Sequence, residues 1–320
     1  MILIITGFIF MQLNVRTRDQ INLSETREAR VFYRFGLQAR NTYVPCPLKG
    51  TEILAWSADP KKIDNVKQHV AEKSCKLRAI GGQQNNNYGV WKLCETGSLL
   101  ASKKANTSAG VALVYSFGLG TDTSFDEHMI TKYGAIVHGF DPTPGAVSYA
   151  RSRAAHLPDC LFALHPFGLG DKDGEISLYP PANPSHISHN QVPRAGARPV
   201  AATLLRLATI MHLLGHTRVH VLKMDVEGAE FGVLDSLLSA PPLDAGAGTQ
   251  APPPPGGAEL PFDQLCVEYH PGLHPGGPAA GAAAIRRITE ALRARGLSLV
   301  ASNGAHEYSY ARLADTAPGP

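Results

Sequence analysis

The chain has 320 residues, of which 44% are apolar and 18% charged, and its formal net charge is +3. That is enough apolar chain for one large α/β domain with extensions. So small a charge, carried by scattered Lys and Arg, argues against a dedicated nucleic-acid surface.

The first thirteen residues, MILIITGFIFMQL, are apolar but short for a bilayer span, and they lack a basic flank or cleavage site. They read as a signal-anchor-like segment, which would allow membrane association, or as a buried strand. The expected location tips toward a membrane or the secretory pathway. Residues 1–75 read as an N-terminal extension and 76–320 as the functional domain. The five cysteines contain no CxxC pair, so a zinc site is not expected. Cys160 and Cys266 read as small buried apolar residues. Cys46, Cys75 and Cys94 lie upstream, where a disulfide requires an oxidising compartment.

In chain order, KLRAIGGQQNNNYGVWKLCE reads as a loop and then a short ordered segment. Residues 111–117 form a continuous apolar run closed by Gly-Leu-Gly, the pattern of a strand buried on both faces. Residues 124–133 have helical spacing with Ser124 as cap. A second strand at 135–140 ends in Asp-Pro, followed by a helix at 146–155. A third strand covers 160–167, with a short one at 175–179. Residues 180–199 form a loop in which His186 and His189 read as solvated. A helix is predicted at 202–214, a strand at 219–224, a helix at 227–238 and a strand at 265–269. An amphipathic helix at 283–295 precedes a closing antiparallel pair at 297–301 and 307–311. Residues 241–260, PPLDAGAGTQAPPPPGGAEL, read as a low-complexity surface insertion. The alternation predicts a Rossmann-like, mostly parallel sheet with helices on both faces. Ligands in such sheets bind at the carboxyl ends of the strands.

The candidate chemistry falls at those ends. Gly118 and Gly120 let the backbone approach a ligand and offer N–H groups to an anionic end. Asp141, roughly twenty residues on, stands where nucleotide-binding folds put the acid for ribose hydroxyls, or it caps an Asp-Pro turn. In VLKMDVEGAE, Lys223 and Asp225 share a strand face and need partners. Glu227 and Glu230 fall in a first helical turn, where they suit the dipole. In CVEYH, Glu268 and His270 share a strand face suited to proton abstraction, metal binding or a salt bridge.

The segments VYSFGLGTDTSFD, VHGFDPTP, FALHPFGLGDKDGEISLYP, VLKMDVEGAEFGVL and LCVEYH, in that order, resemble the FkbM-type S-adenosylmethionine-dependent methyltransferases and their eukaryotic methyltransferase-like relatives. The resemblance runs from about residue 78 to 310. It implies a seven-stranded sheet with six parallel strands and one reversed, and S-adenosylmethionine as cofactor. Ser116, Gly118 and Gly120 would then face the methionine end and Asp141 the ribose. Phe167 and Gly168 would lie near the adenine, and Asp225 and Glu227 at the acceptor side. Many methyltransferases carry an acid at the place of Ser116 and a glycine at the place of Asp122. Ser116 thus weakens the expected contact to the cofactor's amino group.

Methyl transfer needs mainly orientation; an oxygen acceptor also needs a base, for which Glu268, His270 and then Asp225 are the candidates. The acceptor, whether small molecule, glycan or protein, is not readable, and O-methylation is the lean. No metal is expected. The rival readings are a nicotinamide-dependent oxidoreductase, disfavoured by Thr123 at the third glycine position, and a non-catalytic cofactor-binding protein. A third is a metal-dependent hydrolase using Asp225, Glu227, Glu268 and His270.

Overall fold

The computed structural model describes residues 75–82, 89–96, 99, 111–158, 160–183, 187–239 and 259–313, all within the compact unit Asn41–Pro320. The extension up to residue 74, including segment 1–13, lies outside these residues, as do His186 and most of the 241–260 insertion. Among the described residues no helix is long and apolar enough to cross a membrane.

Twelve strands and five α-helices follow one another along the described residues. β1 (Leu77–Gly81) and β2 (Val90–Cys94) form an antiparallel hairpin. Next come β3 (Leu113–Phe117), α1 (Ser124–Tyr133), β4 (Ile136–Phe140), α2 (Pro144–Arg153) and β5 (Phe162–His165). β6 (Gly168–Leu169), β7 (Gly174–Leu178) and β8 (Val200–Leu205) lead into α3 (Leu207–Leu214) and β9 (Val219–Met224). The chain continues through α4 (Glu230–Ser239), β10 (Phe262–Glu268), α5 (Gly277–Ala294), β11 (Leu297–Ser302) and β12 (Glu307–Arg312).

The large sheet has seven strands in the order β11-β12-β10-β9-β3-β4-β5. Pairing is parallel from β10 through β9, β3 and β4 to β5. β12 alone runs against its neighbours β10 and β11. Six strands point one way and one is reversed, as the resemblance implies.

Parallel strands bury both faces, so alternate residues of β3 serve two layers. Val114, with Val137, Val221 and Cys266, packs under Phe125, Met129 and Ile130 of α1 and Trp91 of the hairpin. Tyr115 and Phe117 turn to the opposite layer, where Phe117 stacks on Phe140 with ring centroids 4.3 Å apart. His138 and His165 lie in that second layer, their rings stacked and Nδ1 of His138 2.9 Å from Nε2 of His165.

Three expectations are corrected. Residues 200–205 are a strand, not the start of a helix, because they pair with β7 and β6 in a three-stranded side sheet. The alanines and leucines there are good helix formers, but tertiary pairing outweighs a weak local preference. The third strand is shorter than predicted, because Gly168 and Leu169 leave the large sheet to pair with β8. Cys160 is disulfide-bonded rather than a simple buried apolar residue. A second disulfide, Cys75–Cys94, closes the β1–β2 hairpin, while Cys266 is a buried free thiol.

Candidate functional site

A cavity of about 330 Å³ opens where β3, β4, β9 and β10 end. Gly118, Gly120, Asp141, Gly168, Asp225, Glu227 and Glu268 all line it. Residues scattered over 150 positions therefore meet at one place, as ligand sites in open α/β sheets do.

Its glycine side is built from backbone. Gly118 has φ +76°, and a Cβ there would fall 1.7 Å from the Asp225 carbonyl oxygen. Only glycine permits both that conformation and that approach of β3 to β9. The Asp141 carboxylate ties this turn to β4. Its Oδ2 accepts the N–H groups of Leu119 (3.0 Å) and Gly120 (3.1 Å). Its Oδ1 accepts the N–H of Thr143 (2.9 Å) and the Thr143 hydroxyl (2.7 Å). Asp141 is thus both a cavity wall and the acceptor that holds the loop.

Lys223 reaches the same corner from β9 and is 5% exposed. Its Nζ donates to Gly118 O at 2.9 Å and lies 5.0 Å from the Trp91 ring centroid. Among the described lining residues it is the one lysine or arginine. The sequence marked Lys223 as a buried charge in need of partners, and these are a carbonyl and an aromatic face. Trp91 and Gly89 bring the disulfide-closed hairpin into the wall, which the sequence did not foretell.

Ser116 and Phe167 do not line the cavity. Strand alternation turns Ser116 into the α1 layer, fully buried, beside Asp126. Burial pushes the Asp126 carboxyl up to about 6, although Lys223 and Ser116 pull the other way. Phe167 is buried against Phe140 and His165. Asp122, by contrast, does line the cavity, and its buried Oδ2 has no hydrogen-bond partner among the described residues.

The far side is crowded with charge. Around the His270 ring, Nε2 lies 3.5 Å from Glu227, 3.8 Å from Glu268 and 3.9 Å from Asp225. Its Nδ1 is 3.3 Å from Oε1 of Glu230. Glu230 is fully buried at the start of α4 and locked by the N–H groups of His270 (2.6 Å) and Gly228 (2.8 Å). Glu227 has φ +51°, the one positive φ of a non-glycine among the described residues. Burial lowers the affinity of His270 for a proton, but Glu230, Glu227 and Asp225 outweigh it and hold the imidazole up at about 9. Burial and then the Asp225 charge push Glu268 up to about 7. Asp225 is raised mainly by burial, against the pull of Lys223 and His270. His270 touches this cluster but does not line the cavity, whereas Glu268 does.

The mostly parallel sheet with one reversed strand and a glycine-walled cavity at its strand ends belongs to the class of open α/β folds whose ligand sites lie at those ends. Within that class, residues 111–269 match the family model described as "Methyltransferase FkbM domain", so this core is an FkbM methyltransferase domain. Over 126 residues the chain is 29% identical to human "Probable methyltransferase-like protein 24". The same figures hold for the Rattus norvegicus protein of that name. Each match covers 39% of this chain and 28% of the relative. Among solved structures, the chain is similar to "Methyltransferase FkbM from Methylobacillus flagellatus KT" at 12% identity and TM-score 0.36, over 63% of this chain and 43% of that one. It is also similar to a "METTL16 MTase domain", at 10% identity and TM-score 0.34, over 64% and 61% of the two chains.

Proposed function

We infer that the domain binds S-adenosylmethionine across the strand ends and transfers its methyl group to an oxygen acceptor. The observation that carries this reading is the Asp141 carboxylate, which faces the cavity while gripping the Leu119 and Gly120 amides. A carboxylate so placed can exchange a loop hydrogen bond for a ribose hydroxyl, coupling loop and ligand. The methionine end would lie along Gly118–Gly120, with its carboxylate toward Lys223. Asp122 takes over the amino-group contact that Ser116, buried on the other layer, cannot make. The two departures from the family pattern thereby compensate: the acid missing at 116 stands at 122. Leu169, Leu178 and Leu204 supply an apolar wall beside Gly168 for the adenine.

Bound there, S-adenosylmethionine supplies an electrophilic methyl on a sulfonium. The chain's own contribution is orientation, which can supply roughly 7–11 kcal/mol. Of the sequence's three candidate bases, Glu268 is favoured over His270, since it borders the cavity. It would accept the acceptor's proton, adding about 10²–10⁴ in rate.

Isothermal calorimetry with S-adenosylmethionine, S-adenosylhomocysteine and NAD tests the reading. Both sulfur ligands should bind and NAD should not. Protein that takes NAD and ignores both sulfur ligands belongs to the oxidoreductase reading instead.

A further inference from the structure

We propose that Asp225, Glu227 and His270 form a divalent-cation site at the acceptor end of the cavity. One ligand atom from each of the three residues lies within 4.8 Å of the others. The His270 contacts with Glu227 and Asp225 are long ion pairs, looser than hydrogen-bonded ones. Charge-assisted hydrogen bonds close to about 2.7–2.9 Å. His270 Nε2 instead stands 3.5 Å from Glu227 and 3.9 Å from Asp225, within bonding distance of neither. Two ligands each about 2.0–2.2 Å from a common ion sit roughly 3–3.5 Å apart. The His270 gaps of 3.5 and 3.9 Å lie at and just beyond that span.

The second observation concerns the other ring nitrogen. Metal-bound histidines commonly present their remaining ring nitrogen to a carboxylate that fixes the ring. Here Nδ1 faces Glu230 at 3.3 Å, and Glu230 is itself buried and held by two backbone N–H groups. Nε2 thereby faces Asp225, Glu227 and Glu268. Charge points the same way. Asp225, Glu227, Glu230 and Glu268 crowd one imidazole, and Lys223 is engaged by the glycine turn. A ligand set of two carboxylates and one imidazole suits a hard to borderline ion such as Mg²⁺ or Mn²⁺. Asp225 and Glu227 line the cavity, so the ion would stand where an acceptor oxygen could join its coordination. It would then lower that hydroxyl's hold on its proton beside Glu268. The ion's position rests on the geometry above, and its role in transfer rests on the proposed activity.

The test uses Mn²⁺ alone, added to the full chain without cofactor. Calorimetry should find one ion per chain, and spin-echo spectroscopy of the wild type should show coupling to an imidazole nitrogen. Asp225→Asn, Glu227→Gln and His270→Ala should each weaken Mn²⁺ binding at least tenfold, and His270→Ala should abolish the nitrogen coupling. A wild-type chain that binds no Mn²⁺, or shows no imidazole coupling, overturns the site. So does tight Mn²⁺ binding that survives all three substitutions. Binding of S-adenosylmethionine, measured separately on the same samples, distinguishes loss of the ion site from failure of the cofactor reading.

Discussion

The two ends of the cavity are built on opposite principles. At the glycine end the main charges are hydrogen-bonded: Asp141 accepts four hydrogen bonds, and Lys223 donates to a carbonyl under an aromatic ring, although Asp122 Oδ2 has no partner among the described residues. At the β9–β10 end, carboxylates gather around one imidazole at distances beyond hydrogen bonding. Satisfied networks make a rigid cradle, while groups kept near one another but unbonded respond to what arrives. On the proposed reading, the first end holds the cofactor and the second meets the acceptor.

The strongest way to break this contrast is Gly118→Ala. The new methyl would strike the Asp225 carbonyl in a left-handed backbone, forcing β3 from β9 and disturbing both ends together. About 3 kcal/mol of stability should be lost, read from urea unfolding. An alanine variant as stable as wild type would mean the two ends are not joined through that contact.

Asp141→Ala removes an acceptor from four donors without adding bulk. Stability should fall by about 1–3 kcal/mol, and S-adenosylmethionine should bind roughly 10- to 150-fold more weakly. Asp141→Asn keeps one acceptor and should lose less on both counts. Lost stability with unchanged affinity would make Asp141 a loop anchor alone.

Acid should weaken the glycine half of the sheet as well. Burial lowers His165 to about 4, with His216 adding to the effect, and lowers His138 well below its ordinary value, with His165 and His216 adding. The groups facing them are one another, His216, Tyr115, Phe140 and Phe167. Histidines kept neutral in the fold take up protons only on unfolding, so the unfolded chain binds more protons between about pH 6.5 and 4. Stability should be complete above about pH 6.5 and decline by roughly 1–3 kcal/mol toward pH 4. His165→Gln should flatten that slope; a slope unchanged in the variant would assign the acid sensitivity elsewhere.

Much of the glycine end could be read from the sequence. Strand β3 is a continuous apolar run and β4 and β9 are largely apolar, and the Gly-Leu-Gly and Asp-Pro that close β3 and β4 punctuate strongly. The charged end was legible as composition only. Asp225, Glu227, Glu268 and His270 were each named, but the direction of the imidazole depends on Glu230, whose place at a helix start suggested no more than a dipole partner. Ser116 and Phe167 were assigned to the cofactor by motif, although the strand period turns Ser116 to the layer opposite Phe117. The β6–β8 pairing was hidden because it joins residues distant in sequence, Gly168 with Leu204, which local propensity does not encode.

The place of β12 bears on the order in which the molecule can assemble. β11 precedes it along the chain, yet β11 meets the large sheet only through β12. Residues 297–302 therefore join the large sheet only together with or after β12, which pairs them to β10's edge. The turn between those two strands brings Asn303, His306 and Glu307 to the cavity. That wall of the pocket is absent until this rim has closed, so the cavity is incomplete at every earlier stage of folding.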